Sequence, residues 1–129
     1  MEAFLIALAL FVVGWEALWW IAGVRPIGPM RLKRMLQEPG GDKPLLIDVR
    51  TAAEFRLFHV AGAENQPGLL LVSGALNSQD KKRPLVIVCL SGHRSPVVGF
   101  RLKKQGFKNV YYLSWGMLAW IVTGGRFER

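Results

Sequence analysis

One segment of the sequence has the residue types and spacing for covalent chemistry. The apolar run Leu85–Val88 is typical of a buried parallel strand, and it ends at Cys89, the single cysteine of the chain. The residues that follow it are Leu90, Ser91, Gly92, His93 and Arg94. Ser95 and Pro96 then have the pattern of a helix start. Because α/β proteins bind ligands where a parallel strand turns into a helix, the spacing predicts a thiol at a ligand-binding turn.

The composition of this turn favours a nucleophilic thiolate in an anion-binding cradle. Backbone N–H groups of the turn and the start of the helix attract negative charge, and His93 and Arg94 add positive charge. Such surroundings stabilise a thiolate, and Gly92 lets the loop curl without a Cβ clash. The alternative is a buried structural cysteine, which we would expect within a strand rather than at its end. His93 either tunes the loop or faces solvent, and no general-base role is assigned to it.

Composition excludes several other classes of protein. The chain has 129 residues, of which 51% are hydrophobic, with 17 basic residues against 9 acidic ones. Such a chain is not a disordered tail, and one cysteine supports neither a disulfide scaffold nor a zinc site of several thiolates. The basic surplus suits nucleic acid, anionic lipid or a small anionic substrate. Since no nucleic-acid motif is present, the last two partners remain, and no metal or organic cofactor is implied.

The first segment of the chain has the composition of a membrane helix. Residues 3–24 are apolar apart from Glu16, and as a helix they would span about 33 Å, enough for a hydrocarbon core of about 30 Å. A signal peptide would begin with basic residues, and a core helix would show a polar face. We therefore expect residues 1–24 to form a transmembrane helix or membrane anchor and residues 25–129 to form the domain.

The flanks of this segment predict its orientation. Four basic residues follow it closely: Arg25, Arg31, Lys33 and Arg34. Positive flanks stay in the cytoplasm, so we expect a single-pass protein of the cell membrane with a cytoplasmic C-terminal domain and contacts to membrane lipid. Trp19 and Trp20 suit the aromatic belt of the interface. Glu16 is either functional, or it is an incidental carboxyl that sits in the cytoplasmic half of the segment, is protonated, or pairs across an oligomer.

The remaining residues predict an α/β fold with a mostly parallel central sheet flanked by helices. Strands are expected at Leu45–Val49, Leu85–Val88 and Val110–Leu113, and helices at Met30–Gln37, from Thr51, at Ser95–Gln105 and at Gly116–Val122. Residues 62–84 are expected to be mainly loop, with an apolar piece at Gly68–Val72. Gly40 and Gly41 are expected to break the chain before the first of these strands.

Four motifs carry a resemblance to a known family. LLIDVRTAAEF, HVAGA, VIVCLSGHRS and GFKNVYYLSWGMLAW occur in this order and together resemble the rhodanese domain over nearly all of residues 27–124. The resemblance implies that Cys89 takes sulfane sulfur from thiosulfate or a similar anionic donor, becomes a persulfide and passes the sulfur to cyanide or a thiol. Phosphatases and arsenate reductases of the same fold have C-x5-R, whereas Cys89 to Arg94 is C-x4-R, which resembles the sulfurtransferase form.

The resemblance also implies roles for individual residues. Cys89 is the nucleophile, Leu90 through Arg94 form the cradle with their backbone N–H groups, and Arg94 attracts the donor or steadies the loop. Asp48 and Arg50 match the family's Asp-x-Arg, which hydrogen-bonds the loop or orients the donor; the alternative is a surface ion pair at a strand end. Two motifs depart from the family: Phe58-His59-Val60-Ala61 replaces Gly-His-Ile-Pro, and Trp115-Gly116 replaces Gly-Gly.

The function expected from the sequence is a membrane-anchored sulfurtransferase that forms a persulfide on Cys89. With one cysteine, the chain has no second thiol to resolve that persulfide, so the acceptor is an external thiol or a protein. The alternative is a sulfur-carrier or docking module of the same fold, which serves a membrane partner and turns over little small-molecule substrate.

Overall fold

Helices and strands alternate along the chain, as the sequence predicts. The computed structural model describes residues 1–38, 43–67, 81–90 and 95–129. Its helices are α1 (Glu2–Ile21), α2 (Pro29–Gln37), α3 (Ala52–Leu57), α4 (Ser95–Lys104) and α5 (Gly116–Val122). Its strands are β1 (Val24–Ile27), β2 (Leu45–Asp48), β3 (His59–Val60), β4 (Glu64–Asn65), β5 (Leu85–Val88), β6 (Val110–Leu113) and β7 (Phe127–Glu128).

A parallel sheet forms the centre of the domain. Its strands, within the described residues, lie in the order β1-β6-β5-β2-β4, and every neighbouring pair is parallel. All carboxyl ends therefore meet at one edge of the sheet, here called the carboxyl edge, and the strands begin at the opposite amino edge. The short strands β3 and β7 pair separately as an antiparallel ribbon. The predicted mostly parallel α/β fold is confirmed.

Four of the strands were not expected from the sequence. β3, β4 and β7 have two residues each, which is too short for a periodic pattern. β1 begins at Val24, inside the segment that was expected to belong to the membrane helix, and pairs there with Val110. The predicted apolar piece at Gly68–Val72 and the break at Gly40 and Gly41 lie outside the described residues.

The central strands β2 and β5 are buried on both faces, so the sheet separates two cores. Side chains alternate between the faces, as the pleat requires. The first core lies under α1 and α4 and contains Trp19, Val24, Leu45, Ile47, Val49, Leu85, Ile87, Cys89, Val98, Leu102, Phe107, Val110 and Tyr112. The second core lies under α2 and α5 and contains Ile27, Leu32, Leu46, Val60, Val86, Val88, Leu113, Met117 and Trp120.

The first helix has two different parts. α1 has 20 residues and a mean hydropathy of 2.1, so by length and composition alone it is able to cross a membrane. Residues 2–14 are exposed, whereas Trp19 is only 9% exposed and belongs to the first core, with Trp15 and Ala22 packed against it. The last turns of α1 are therefore part of the domain's packing.

The side chain of Glu16 has a hydrogen-bond partner within the chain. Its carboxylate accepts a hydrogen bond from the hydroxyl of Tyr112 on β6. A partner within the chain was not among the alternatives that the sequence offered for Glu16; the contact forms because the helix that carries Glu16 packs on the sheet.

Candidate active site

Cys89 lies at the carboxyl edge, directly after the central strand β5. The residue is 1% exposed and belongs to the first core. On one side, the backbone N–H of Val49 donates to the carbonyl of Val88 at 2.9 Å, so the end of β2 continues beside the cysteine. α4 then begins at the buried Ser95. The structure thus places the thiol at the strand-to-helix turn that the sequence predicts.

The predicted cradle is described only at its first residue, Leu90. Ser91, Gly92, His93 and Arg94 lie outside the described residues, so their roles in binding an anion stay predictions. Leu90 is partly exposed, at 37%, beside the almost fully buried Cys89. The chain therefore passes from the buried core to the protein surface between Cys89 and Leu90.

The start of α5 holds the backbone on both sides of the cysteine. The N–H of Met117 donates to the carbonyl of Cys89 at 2.9 Å, and the N–H of Leu118 donates to the carbonyl of Leu90 at 3.2 Å. Gly116 allows this approach: its φ is 54°, and a Cβ there would lie 2.1 Å from the Cys89 carbonyl oxygen. Only glycine fits at position 116. The sequence analysis did not predict that the start of α5 holds the backbone of Cys89. It did find the replacement of Gly-Gly by Trp115-Gly116 at this position.

Trp115 directly precedes Gly116, beside the backbone of Cys89, and has an unusual backbone conformation. Its φ is 59°, the left-handed region that a bulky residue rarely adopts, and its side chain is 65% exposed. The tight turn between β6 and α5 requires this conformation, because Gly116 must reach the carbonyl of Cys89. The aromatic side chain is consequently directed away from the two cores.

Asp48 and Arg50 form a buried ion pair at the end of β2. Arg50 Nη2 lies 2.8 Å from Asp48 Oδ2, and the exposed fractions are 1% and 0%. Arg50 Nε also donates to Asp48 Oδ1 at 3.0 Å, and Arg50 Nη2 donates to the carbonyl of Phe58 at 2.6 Å. The expectation of a surface ion pair is therefore wrong. The pair ties β2 to the end of α3, where the turn at Phe58 replaces the family's glycine.

Two further residues fix the same strand end. The side-chain amide of Asn65 donates to the carbonyls of Asp48 and Arg50, at 3.1 and 3.0 Å. α3 begins with a reciprocal capping box, in which Thr51 accepts from the N–H of Glu54 and Glu54 accepts from the N–H of Thr51. The capping box was predicted from the sequence spacing. Asn65 was missed, since its role depends on β4 and carries no local signal.

The described residues include no group of three or more His, Cys, Asp or Glu side chains placed to hold a metal ion. The reactive group in the described part of the site is the thiol of Cys89. It lies at the carboxyl end of a parallel α/β sheet, which is where proteins of this class bind ligands.

Comparison with known proteins identifies the family. The profile of the Rhodanese-like domain matches residues 29–123, which is most of the chain, and the chain belongs to this family. It is 30% identical over 95 residues to the thiosulfate sulfurtransferase GlpE of Pseudomonas fluorescens, covering 74% of this chain and 84% of that one. It is 36% identical over 95 residues to the "Probable adenylyltransferase/sulfurtransferase MoeZ" of Mycobacterium tuberculosis, covering 73% of this chain but only 24% of that much longer protein.

Solved structures agree with this assignment. The rhodanese-like domain of the Anabaena Alr3790 protein superposes with a TM-score of 0.72 at 26% identity, covering 80% of this chain and 77% of that one. A rhodanese-like domain protein of Staphylococcus aureus gives a TM-score of 0.68 at 28% identity, covering 81% and 99%. The rhodanese-like fold and membership of a sulfurtransferase and sulfur-carrier family follow from these matches.

Proposed function

We propose that this protein is a membrane-anchored sulfurtransferase that carries sulfane sulfur as a persulfide on Cys89. The observation that carries the proposal is the position of the thiol at the carboxyl end of β5, between the start of α4 and the glycine turn that leads into α5. The similarity to thiosulfate sulfurtransferases over most of their length supports thiosulfate, or another small anion with a sulfane sulfur, as the donor.

The reaction balances without an oxidant or a reductant. The Cys89 thiolate attacks the outer sulfur of thiosulfate, the sulfur–sulfur bond of thiosulfate breaks, and sulfite leaves with the electron pair. An acceptor thiolate or cyanide then attacks the terminal sulfur of the persulfide. That step forms the acceptor persulfide or thiocyanate and returns the Cys89 thiolate.

The proposed roles of the site residues follow the motif. Backbone N–H groups of residues 90–94 stabilise the negative charge of the persulfide, and Arg94 attracts the anionic donor. Asp48 and Arg50 act on the site by fixing the end of β2 beside Val88, because the Arg50 guanidinium is already bonded to Asp48 and to the carbonyl of Phe58. The persulfide is resolved by an external thiol or a protein acceptor.

The proposed anchor is α1, with the C-terminal domain in the cytoplasm. Its apolar composition over residues 2–14 and the basic residues that follow it support this arrangement. A reducing cytoplasm would keep the Cys89 thiol available.

Intact mass spectrometry of the full chain in mild detergent tests the proposed chemistry. After incubation with thiosulfate, the mass should increase by one sulfur atom, and cyanide should remove the increase with release of thiocyanate. The matched control is Cys89→Ser, which keeps the size of the side chain and should show no increase.

A chain that takes up no sulfur from thiosulfate or from a small persulfide donor contradicts the enzyme proposal. The docking-module alternative would then be the better account of the fold.

A further inference from the structure

The direction of α1 relative to the sheet is fixed by three contacts. At the amino edge, the side chain of Lys103 packs against Gly23, where a Cβ would lie 2.6 Å from Lys103 Cε. Farther along, the ring centroids of Trp19 and Phe100 are 6.4 Å apart. Near the carboxyl edge, Glu16 accepts the hydrogen bond from Tyr112.

These contacts show that α1 runs antiparallel to the strands. From Ile21, its last residue, back to Glu16 the helix rises about 7.5 Å, which is most of the length of a four-residue strand. Tyr112 is the last but one residue of β6, so the helix has reached the carboxyl edge by Glu16. The residues before Glu16 must then project beyond the edge where Cys89 lies.

The projecting part of the helix is exposed and apolar. Residues 2–14 are all exposed, and among them only Glu2 carries a side-chain charge. At about 1.5 Å per residue this part is about 20 Å long, which is shorter than a hydrocarbon core of about 30 Å. No flexible linker separates it from the domain, since α1 ends at Ile21 and β1 begins at Val24.

The carboxyl edge itself presents large apolar side chains beside the site. Among the described residues, those exposed there are Met30, Leu90, Val97, Trp115 and Leu118. Each belongs to the first residues after a strand ends or to the first turns of the following helix. An exposed tryptophan within such a patch is typical of a membrane interface.

Basic residues gather at the opposite edge. The N–H of Lys108 donates to the carbonyl of Lys81, Lys103 Nζ donates to the carbonyl of Lys108, and Arg83 Nε donates to the carbonyl of Lys43. Lys81 and Arg83 precede β5, and Lys43 precedes β2, so these side chains lie where the strands begin. Among the described residues, the basic side chains are therefore concentrated at the amino edge, although Val122 is also exposed at the end of α5 and Arg31 is exposed beside Met30.

We propose that the carboxyl edge is a lipid-binding surface, so that the mouth of the Cys89 site opens onto the bilayer into which α1 inserts. The inference rests on the membrane anchoring of the proposed function and adds the orientation of the domain. Because the projecting helix is short and joined rigidly, insertion draws Trp115 and Leu118 into the headgroup layer. Sulfur donors and acceptors then reach Cys89 from that layer.

Spin labels on single cysteines of the full chain test this orientation in vesicles of phosphatidylcholine and phosphatidylglycerol. On a Cys89→Ser background, one label is placed at the carboxyl edge (Leu118→Cys) and a second reporter at Met30→Cys. The matched control lies at the amino edge (Lys108→Cys), and Phe11→Cys reports insertion of the helix. All four positions are exposed, and circular dichroism checks that each variant folds.

The measurement is the collision rate of each spin label with oxygen, which enters lipid, and with a nickel chelate, which stays in water. The ratio of oxygen to nickel collisions should be several-fold higher at positions 118 and 30 than at 108, and highest at 11. Equal, water-like ratios at 118, 30 and 108 with a lipid-like ratio at 11 would overturn the orientation and leave the anchor in place. A water-like ratio at position 11 would overturn both the proposed orientation and the proposed membrane anchor. Persulfide formation is measured separately on the chain that retains Cys89, so its failure is distinguishable from either result.

Discussion

The hydroxyl of Tyr112 donates a hydrogen bond to the carboxylate of Glu16, across 96 positions of sequence. The bond joins the one charged residue in the interior of the apolar helix to the strand that leads into the turn beside Cys89. Burial raises the pKa of Tyr112 above its usual range, and the hydrogen bond and negative charge of Glu16 raise it further.

This shift predicts a loss of stability at high pH. A tyrosine with a raised pKa keeps its proton in the folded state after the unfolded chain has lost it, so the stabilisation is complete below about pH 10 and falls as the pH rises above that value. In urea unfolding of the full chain in detergent, Tyr112→Phe should remove this alkaline fall. At neutral pH it should lower the free energy of unfolding by about 1.5–3 kcal/mol, as expected for a bond to a charged group.

The neighbouring Tyr111→Phe is the control, since it leaves Glu16 and its partner in place. Tyrosinate absorbance measured against pH is an independent test. The ionisation at unusually high pH should be absent in Tyr112→Phe and present in Tyr111→Phe. An unchanged alkaline fall in Tyr112→Phe would mean that the contact with Glu16 contributes nothing to stability.

Gly116→Ala should disable the site. The added Cβ would lie 2.1 Å from the carbonyl oxygen of Cys89, so the start of α5 must move away from the strand end. We expect loss of persulfide formation together with a lower melting temperature. Gly62→Ala is the matched control: its φ is also positive, at 86°, but a Cβ there meets no heavy atom within 4 Å. The control should show only the backbone strain of about 1–2 kcal/mol and keep its persulfide. Equal effects of the two substitutions would show that the close approach is unimportant.

Arg50→Ala should be strongly destabilising because it leaves the carboxylate of Asp48 buried without its cation. Removing one partner of a buried ion pair costs about 3–5 kcal/mol, which urea unfolding measures directly. Arg56→Ala, on the exposed side of α3, should change the free energy of unfolding by about 0.5 kcal/mol or less. A loss at Arg50 no larger than that at Arg56 would indicate that solvent reaches Asp48.

Trp19→Ala should show that the end of α1 is a structural part of the domain. Trp19 is 9% exposed and contacts Phe100, so its truncation should cost about 3–5 kcal/mol of unfolding free energy. Trp20→Ala is the control: Trp20 is 53% exposed, and the Arg25 guanidinium carbon lies 4.1 Å from the centroid of its ring. The control should lose about 1 kcal/mol. If both variants unfold alike, the last turns of α1 do not pack on the domain.

The sequence predicted well those parts of the fold that local patterns determine. The apolar runs of β2, β5 and β6 mark buried parallel strands, and Thr51 with Glu54 marks the start of α3. The place of Cys89 followed from the same patterns, because a strand that ends at a cysteine puts it at the carboxyl edge.

Long-range packing decided what the sequence did not predict. The apolar sequence predicts that Val24 ends a helix, whereas its pairing with Val110 makes it a strand residue. One alternative from the sequence was an exposed Arg50 side chain. Its burial depends on hydrogen bonds to the carbonyl of Phe58 and the carboxylate of Asp48. The roles of Gly116 and Asn65 likewise depend on segments far away in the chain.

The span of 96 positions between Glu16 and Tyr112 also sets an order of events during synthesis. Chains emerge from the ribosome amino end first, so α1 is complete long before β6, against which its last turns pack. Until α4 and β6 have been made, the last turns of α1 lack Phe100 and Tyr112, which they contact in the folded domain. Lipid or a chaperone that shields α1 at that stage therefore acts before the first core is complete.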